Sequence, residues 1–284
     1  MLVFETAADR LLHQKKINML ICGPQGVGKT FSARTLDPEK TLFIDCEAGT
    51  LSLERSRDFP AWQGTTMNML RMAQQLNLHP WILCRAVASI LFGPDPLDPD
   101  GAYSPLNYQQ YVARLANGDP NYFARFDTLF VDSLTVVSRW AFDWACSQPE
   151  NITKSGALDT RGAYGTMGRE LVTWATVLQH QPKNIILSVI LEQEEDEYGR
   201  NTWQLQVEGK KAGKKIPGIF DLVMTLNWVD FGPQFGKQRV FITREGNEQG
   251  VPAKDRSGLL EAYEAPDLGA VIRKIQNFHS QQGA

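Results

Sequence analysis

Short apolar runs alternate with amphipathic or polar segments along the chain. Four of these runs predict strands at 19–22, 41–44, 128–131 and 185–191. Their nearly continuous apolar character is typical of strands that are buried on both faces of a mostly parallel sheet. The pattern therefore predicts an α/β fold in which helices cover both faces of the sheet.

Apolar positions spaced three and four residues apart predict helices in three further segments. The first carries Val137, Trp140, Ala141 and Trp144, the second carries Met167, Leu171, Trp174 and Leu178, and the third covers 267–278. Residues 222–229 and 239–243 flank a turn with glycine and proline, which predicts a β-hairpin that extends the sheet. We expect one domain over 1–284, with an irregular loop at 93–105 and a C-terminal hairpin and helix at about 221–278.

The composition of the 284 residues is that of an ordinary globular protein, with 43% hydrophobic and 21% charged residues. No apolar run reaches the roughly 18 residues of a membrane span, and a secretory signal is not apparent, so we expect a cytoplasmic protein without membrane contact. The net charge of −3 argues against binding nucleic acid over the whole surface. The four cysteines lack a C-x-x-C pair and the histidines lack ligand spacing, so we expect reduced cysteines and no structural zinc.

One segment fits the phosphate-binding pattern G-x-x-x-x-G-K-[ST] and directly follows the first predicted strand. Its residues, which we call the phosphate loop, are Gly23, Pro24, Gln25, Gly26, Val27, Gly28, Lys29 and Thr30. In this pattern backbone N–H groups surround the phosphates, the lysine reaches the β- and γ-phosphates, and the threonine hydroxyl ligates Mg²⁺. A helix predicted at 31–36 would place the phosphates at a helix N-terminus. The sequence therefore predicts binding of a nucleoside triphosphate, taken here as ATP, together with Mg²⁺.

Polar residues end the other predicted strands, where an open α/β sheet binds its ligands. Asp132 ends the third strand and is expected to hold the Mg²⁺. Glu47 follows the second strand and is a candidate base that activates water, with Asp45 as the competing candidate. Gln193 follows the fourth strand and is a candidate sensor of the γ-phosphate. If the register of this strand end is shifted by one residue, Glu192 would take this role instead.

In this order, the motifs resemble those of the RecA-type ATPases, and especially of the phage-encoded RecA-like nucleotide-binding proteins that include single-strand annealing recombinases. The resemblance rests on the phosphate loop, the segments 43–47 and 130–133, and Gln193, and it extends over most of the chain. It implies that Glu47 is the general base and that Gln193 couples the γ-phosphate to a DNA-binding loop.

The segment 253–258 is similar to the basic pair by which RecA-like recombinases and ring helicases reach into a neighbouring subunit. Lys254 and Arg256 would be this pair, stabilising charge on the transferring phosphoryl group from the next protomer. The resemblance therefore implies a homo-oligomer, either a ring or a filament.

A lysine-rich run lies between the fourth strand and the hairpin, where RecA-like proteins carry a mobile DNA-contacting loop. Its members are Lys210, Lys211, Lys214 and Lys215, with Lys154 and Arg161 as contributors from the polar segment 147–162. Tyr198 and Trp203 are candidates for stacking on bases, with packing in the core or hairpin as the competing use of both. The segment 192–197 holds five acids directly before the run, and the two charge runs are alternatively expected to neutralise each other.

The leading hypothesis is an ATP-hydrolysing RecA-like protein of phage-type DNA recombination or replication that acts through single-stranded DNA, with a single-strand-binding protein as a further partner. If it is phage-encoded, it would work in the cytoplasm of the bacterial host. The alternative is a nucleotide-gated module that binds a protein in replication or packaging without DNA contact, which the acidic segment favours. A small-molecule kinase is a third, weaker option, because neither an acceptor pocket nor a lid is identified.

Overall fold

The computed structural model describes residues 16–195, 199 and 201–281. Within these residues the chain forms ten strands, which are Asn18–Gly23 (β1), Thr41–Asp45 (β2), Thr65–Asn68 (β3), Thr128–Asp132 (β4), Asn184–Glu195 (β5), Asn201–Leu205 (β6), Leu222–Asp230 (β7), Lys237–Ile242 (β8), Lys254–Asp255 (β9) and Tyr263–Glu264 (β10). The α-helices in the same described part are Lys29–Ser32 (α1), Met69–Leu76 (α2), Pro80–Phe92 (α3), Pro105–Leu115 (α4), Leu134–Cys146 (α5), Thr160–Gln179 (α6), Lys210–Ile219 (α7) and Leu268–Gln281 (α8). Short 3₁₀ helices cover Ala33–Thr35, Thr50–Leu53 and Pro149–Asn151.

The sheet has a parallel centre and an antiparallel border. Six strands run parallel in the order β7-β1-β5-β4-β2-β3. Strands β8 and β10 continue the sheet in antiparallel fashion beyond β7, while β6 pairs with β5 and β9 pairs with β7. The α/β fold class is thus confirmed, including the C-terminal hairpin that extends the sheet.

Strand β1 shows why the central strands are mostly apolar. All six of its residues are buried. Leu20 packs into the hydrophobic cluster that includes residues of α3, α5 and α6, whereas Met19 and Ile21 pack into the cluster that includes residues of α8. Because successive side chains of a strand point to opposite faces, a strand covered by helices on both sides buries the side chains of both faces. The one side chain of β1 with polar atoms, that of Asn18, is also buried, and its amide donates to the Gln179 carbonyl oxygen at 3.0 Å.

Several elements differ from those predicted. The helix expected at 31–36 begins at Lys29 and ends at Ser32, and a 3₁₀ turn follows it, so this helix offers a smaller dipole than expected. The loop expected at 93–105 ends one residue earlier, because Pro105 occupies the first turn of α4. The lysine-rich run is the helix α7 and not a loop. No helix in the described part of the chain is long and apolar enough to cross a membrane. All four cysteines are free.

Candidate functional site

The parallel register brings the predicted motif residues to one edge of the sheet. Gly23 at the end of β1 pairs with Ile190 of β5, and Asp45 at the end of β2 pairs with Asp132 of β4. Since parallel strands end at the same edge, the segments that follow them meet there. Lys29, Thr30, Glu47 and Asp132, which we call the phosphate-site cluster, lie at this edge.

The phosphate loop requires glycine at two positions for different reasons. Gly28 has a φ of 101°, in the left-handed region that residues with a Cβ rarely adopt. Gly23 passes so close to β7 that a Cβ there would lie 2.6 Å from the carbonyl oxygen of Leu226. Gly28 thus allows the turn, and Gly23 allows the loop to lie on the sheet.

Lys29 is a buried cation that is held by carbonyl groups. The side chain is 8% exposed, and its Nζ donates to the carbonyl oxygens of Gly23 and Pro24, at 2.9 Å each. Burial lowers the pKa of Lys29, while the nearby carboxylates of Asp132 and Glu47 oppose this shift. No carboxylate of the described residues forms an ion pair with Lys29. A buried ammonium group in this position suits a bound anion, because a phosphate would supply the missing negative charge.

Asp132 is 2% exposed, and hydroxyl groups bond to both of its carboxylate oxygens. The Thr30 hydroxyl donates to Oδ2 at 2.5 Å, and the Ser188 hydroxyl donates to Oδ1. Burial raises the pKa of Asp132, the two hydrogen bonds and Lys29 oppose the increase, and the like charge of Glu47 adds to it. The arrangement places a hydroxyl and a carboxylate, both of them oxygen ligands that Mg²⁺ accepts, in direct contact.

The two acids after β2 have different surroundings. Both carboxylate oxygens of Asp45 are engaged, because Oδ1 accepts from the backbone N–H groups of Glu47 and Gly49 at 3.2 Å each and Oδ2 accepts from the Asn68 amide at 2.9 Å. Asp45 therefore closes a turn. Glu47 is exposed, and its Oε1 accepts from the hydroxyl of Ser133, the residue that follows Asp132. Of the two candidates, the carboxylate of Glu47 is the one that is turned towards Asp132.

Gln193 lies outside the phosphate-site cluster. It is exposed and pairs with Trp203 across the β5–β6 ladder, three residues beyond the position where β5 lies beside Gly23. Within the described residues, no hydrogen bond links its side chain to the phosphate-site cluster. Glu192, the competing candidate, accepts from the Gln206 amide at 3.1 Å. The predicted sensor role would thus require a movement of this segment.

Lys254 and Arg256 contact their own chain at the C-terminal end of α7. The Nζ of Lys254 donates to the carbonyl oxygens of Pro217, Gly218 and Phe220, at 3.1, 3.3 and 2.6 Å. Arg256 donates to the Gly218 carbonyl at 3.0 Å and forms an ion pair of 3.4 Å with Asp221. Carbonyl groups at a helix end lack partners within the helix, so these cations satisfy them.

The predicted nucleic-acid residues divide into two sets. Arg161, Lys210 and Lys211 line a groove of about 850 Å³, which we call the α6–α7 groove, whereas Lys214 and Lys215 are exposed elsewhere on α7. Of the predicted stacking residues, Tyr198 lies outside the described residues. The Trp203 indole donates to the Gln249 carbonyl at 3.2 Å and packs against the core, so hairpin packing is the use that the structure favours.

Arg139 also lines this groove, so four cations surround it. Three acids, Glu192, Glu194 and Glu208, line the same groove. Lys210 forms an ion pair of 3.1 Å with Glu194, which is the neutralisation that the sequence left open.

Sequence reasoning missed one cation beside the phosphate loop. Arg239 of β8 donates from Nη1 to the carbonyl oxygen of Val27 at 3.3 Å. No motif marks Arg239, and its position depends on the register of the β7–β8 hairpin. Only the predicted hairpin itself could have suggested that a side chain of β8 reaches this far.

Comparisons with known proteins identify the family of the chain. None of the curated proteins matches it. Similar solved structures include the KaiC-like protein PH0186 from Pyrococcus horikoshii OT3, with 17% identity over 82% of this chain and 80% of that chain and a TM-score of 0.33. They also include the flagellar accessory protein FlaH from Methanocaldococcus jannaschii, with 11% identity, 88% and 90% covered and a TM-score of 0.31. A family model described as an AAA domain matches residues 15–257, which is most of the chain. The chain therefore belongs to the AAA domain family of P-loop ATPases.

Proposed function

We propose that the chain hydrolyses ATP with the phosphate-site cluster. The observation that supports this most is the direct contact between Thr30 and Asp132, which joins the phosphate loop to the end of β4 beside the buried ammonium group of Lys29. In this proposal Lys29 and the loop N–H groups bind the β- and γ-phosphates. Two chain segments far apart in sequence thus supply complementary groups to a single triphosphate.

The residues fit a Mg²⁺ ion that arrives with the nucleotide. Mg²⁺ is usually bound through one or two carboxylates and the phosphates of the substrate, and not by a cage of protein ligands. Thr30 and Asp132 offer this limited set, and no group of three or more His, Cys, Asp or Glu side chains that could hold a metal occurs in the described residues. Bound there, Mg²⁺ would neutralise charge on the β- and γ-phosphate oxygens.

Glu47 is proposed as the base that orients and deprotonates the attacking water. Its carboxylate is exposed and accepts a single described hydrogen bond, from Ser133, so one of its oxygens is available. Asp45 cannot serve without losing hydrogen bonds, because its Oδ1 closes the turn at 45–49 and its Oδ2 accepts from the Asn68 amide of β3.

The finer proposal is that ATP turnover is coupled to single-stranded DNA in the α6–α7 groove, as in phage-type recombination or replication. The supporting observation is that Arg161 and the pair Lys210 and Lys211, which come from separate predicted segments, line one groove. Helix α5 connects the two places, because Ser133 at its start bonds to Glu47 and Ser138 accepts from the backbone N–H of Glu208 in the groove wall at 3.1 Å.

Assembly of several protomers is proposed as the condition for rapid turnover, since no arginine or lysine of the described residues forms an ion pair with Glu47. Arg256 is the better candidate for a residue that acts in a neighbouring protomer, because half of its side chain is exposed. Lys254 would have to leave three carbonyl groups first.

The decisive experiment measures ATP hydrolysis per protomer against protein concentration, with and without single-stranded DNA. We expect the rate to rise with protein concentration and again with DNA, and Lys29→Ala provides the blank. Hydrolysis that DNA does not change at any protein concentration would contradict the DNA proposal alone. Absence of hydrolysis under all of these conditions would contradict the ATPase itself.

A mobility shift with single-stranded DNA tests the groove. Lys210→Ala/Lys211→Ala should weaken binding and lower the slope of log K against log salt by about 1.4, since each lost phosphate contact removes about 0.7. The double variant Lys214→Ala/Lys215→Ala is the matched control, because these lysines are exposed on the same helix outside the groove. Equal loss in both doubles would show general attraction to α7 and not a groove.

A second candidate function is a nucleotide-gated module that binds a protein segment in the α6–α7 groove. The three acids that line the groove support it, because they oppose a polyanion and suit a partner of mixed charge. Retained ATP hydrolysis without a mobility shift at low salt would favour this candidate.

A further inference from the structure

The β7–β8 hairpin presents two side chains beside the phosphate loop that the proposed hydrolysis does not use. Trp228 and Arg239 lie directly opposite each other in the antiparallel ladder, so their side chains project from the same face, with Cβ atoms about 5 Å apart. The pair one step back on this face, Leu226 and Phe241, is buried in the same cluster as Met19 of β1. Trp228 and Arg239 are therefore the next pair on this face after the buried pair. They lie next to the place where Gly23 packs closely against Leu226.

The Arg239 guanidinium reaches the phosphate loop but has few partners there. It donates to the carbonyl oxygen of Val27 at 3.3 Å, and a Cβ at Gly28 would collide with it. Its central carbon lies 5.6 Å from the ring centroid of Phe31, which follows Thr30. Within the described residues no carboxylate pairs with Arg239. A guanidinium has five N–H donors, so most of its hydrogen-bonding capacity is left for a ligand.

Arg34 shows how a structural arginine at the same ring differs. Its guanidinium also lies over Phe31, at 5.4 Å from the centroid, but it donates to the carbonyl oxygens of Ser52, Glu54 and Pro60. These bonds anchor the loop after β2. Arg239 has no comparable set of carbonyl acceptors among the described residues, so holding a loop does not account for its position.

The Trp228 indole is 57% exposed. Among the described residues, neither an aromatic ring nor a cation is stacked on this indole, although Arg239 is its direct neighbour in the ladder. An indole of this kind offers an apolar surface of the size of a heterocyclic base, and the faces of bases stack on aromatic side chains irrespective of the base.

We propose that Trp228 and Arg239 form the nucleobase side of the triphosphate site. This inference rests on the proposed binding of ATP by the phosphate loop. With the phosphates in that loop, the nucleoside must extend away from Lys29, and the β7–β8 face is a neighbouring surface that combines an aromatic plane without a stacked partner with a planar cation. The Trp228 indole stacks on the base. The Arg239 guanidinium lies between the base and the phosphate loop.

The test compares equilibrium binding of Mg²⁺–ATP with that of Mg²⁺–tripolyphosphate, which retains a phosphate chain and lacks the base. Trp228→Ala should weaken ATP binding about tenfold, Trp228→Phe less than about threefold, and neither should change tripolyphosphate binding. Arg239→Ala should also weaken ATP binding about tenfold. Phe235→Ala is the matched control, because Phe235 is 62% exposed in the turn of the same hairpin.

Each outcome decides a separate point. ATP binding by Trp228→Ala that equals the wild type, or an equal loss for tripolyphosphate, would overturn the base subsite. Unchanged ATP binding by Arg239→Ala would remove Arg239 from it. If the wild type binds neither ATP nor tripolyphosphate, the proposed function fails, and this inference fails with it. Thermal unfolding of each variant confirms its fold. ATP should also change the tryptophan fluorescence of the wild type, and Trp228→Phe should lose this change, which reports on the Trp228 indole directly.

Discussion

The phosphate-site cluster and the α6–α7 groove lie beyond the same ends of the central strands, but they are built in opposite ways. In the cluster, Lys29 and Asp132 are buried, and a hydrogen bond of 2.5 Å holds the Thr30 hydroxyl against Asp132. In the groove, the lysines of α7 are exposed and the acids of β5 are half-buried, and Lys210 and Glu194 form an ion pair at the surface. Burial makes each polar group in the cluster costly unless it has a partner, whereas exposed charges contribute little to stability. The cluster is therefore specified residue by residue, and the groove only by its approximate charge.

Lys29→Ala should give the largest loss of nucleotide affinity and thereby test the cluster side of this comparison. We expect nucleotide affinity and kcat/KM to fall by about 100-fold or more, because a charge directed at the phosphates is lost. The free energy of unfolding without nucleotide should change by less than about 1 kcal/mol, since burial already disfavours the charged form of this lysine. Isothermal titration and chemical denaturation measure both quantities. Lys214→Ala, on an exposed site, is the control, and an equal loss of binding there would remove the special role of Lys29.

Glu47→Gln and Asp45→Asn separate the two acids after β2. Glu47→Gln should lower kcat by about 10² to 10⁴ and leave ATP binding within about threefold, because it removes a base and retains the shape of the side chain. Asp45→Asn should instead lower the free energy of unfolding by about 1 to 2 kcal/mol, because the bonds to two backbone N–H groups lose the carboxylate charge and the NH2 group that replaces one oxygen cannot accept from Asn68. A larger loss of kcat in Asp45→Asn than in Glu47→Gln, at equal binding, would reverse the assignment.

Asp132→Asn should uncouple stability from function within the cluster. We expect hydrolysis to be lost. The nucleotide-free protein should become more stable by on the order of 1 kcal/mol, because a buried negative charge disappears. This gain corresponds to a rise in Tm of roughly 2–4 °C. Burial raises the pKa of Asp132 in the folded state, so the stability linked to its protonated form is present at low pH and is lost as the pH rises through the raised pKa.

The pH dependence of this variant provides the control. The stability gained by Asp132→Asn should be largest above the raised pKa of Asp132 and should shrink as the pH falls through that pKa. Mg²⁺-dependent ATP binding by the wild type should weaken over the same fall in pH, because the ligand is the carboxylate. A gain in stability that stays constant with pH would show that packing, and not the charge, is responsible.

The sequence predicted most of what depends on short spacing and little of what depends on packing between distant segments. The phosphate loop, Glu47 and Asp132 could be located because each directly follows an apolar strand, and parallel strands bring such residues together. Arg239 could not, because it contacts Val27 across 212 residues and through the register of a hairpin. The resemblance to RecA-like proteins implies a loop at the lysine-rich run, whereas this segment is the helix α7, which buries Ala212 and Ile216.

Lys254 and Arg256 should give the smallest effects, and they test whether cations outside the cluster act on it from a neighbouring protomer. Lys254→Ala should lower the free energy of unfolding by about 1 to 2 kcal/mol, because three carbonyl groups at the end of α7 lose their donor. Arg256→Ala should lower it by less than about 1 kcal/mol, since its ion pair with Asp221 is half exposed.

Hydrolysis by Arg256→Ala distinguishes a role in trans from a structural role. If Arg256 completes the site of a neighbouring protomer, the variant should bind ATP as the wild type does but lose the rise in turnover with protein concentration. Mixing the variant with Lys29→Ala sharpens the test, because each mixed interface can combine an intact phosphate loop from one protomer with an intact Arg256 from the other. Recovery of hydrolysis in the mixture, measured against either variant alone, requires action between protomers. If turnover by Arg256→Ala alone still rises with concentration as in the wild type, then Arg256 serves only the end of α7, and the cluster obtains its second cation elsewhere.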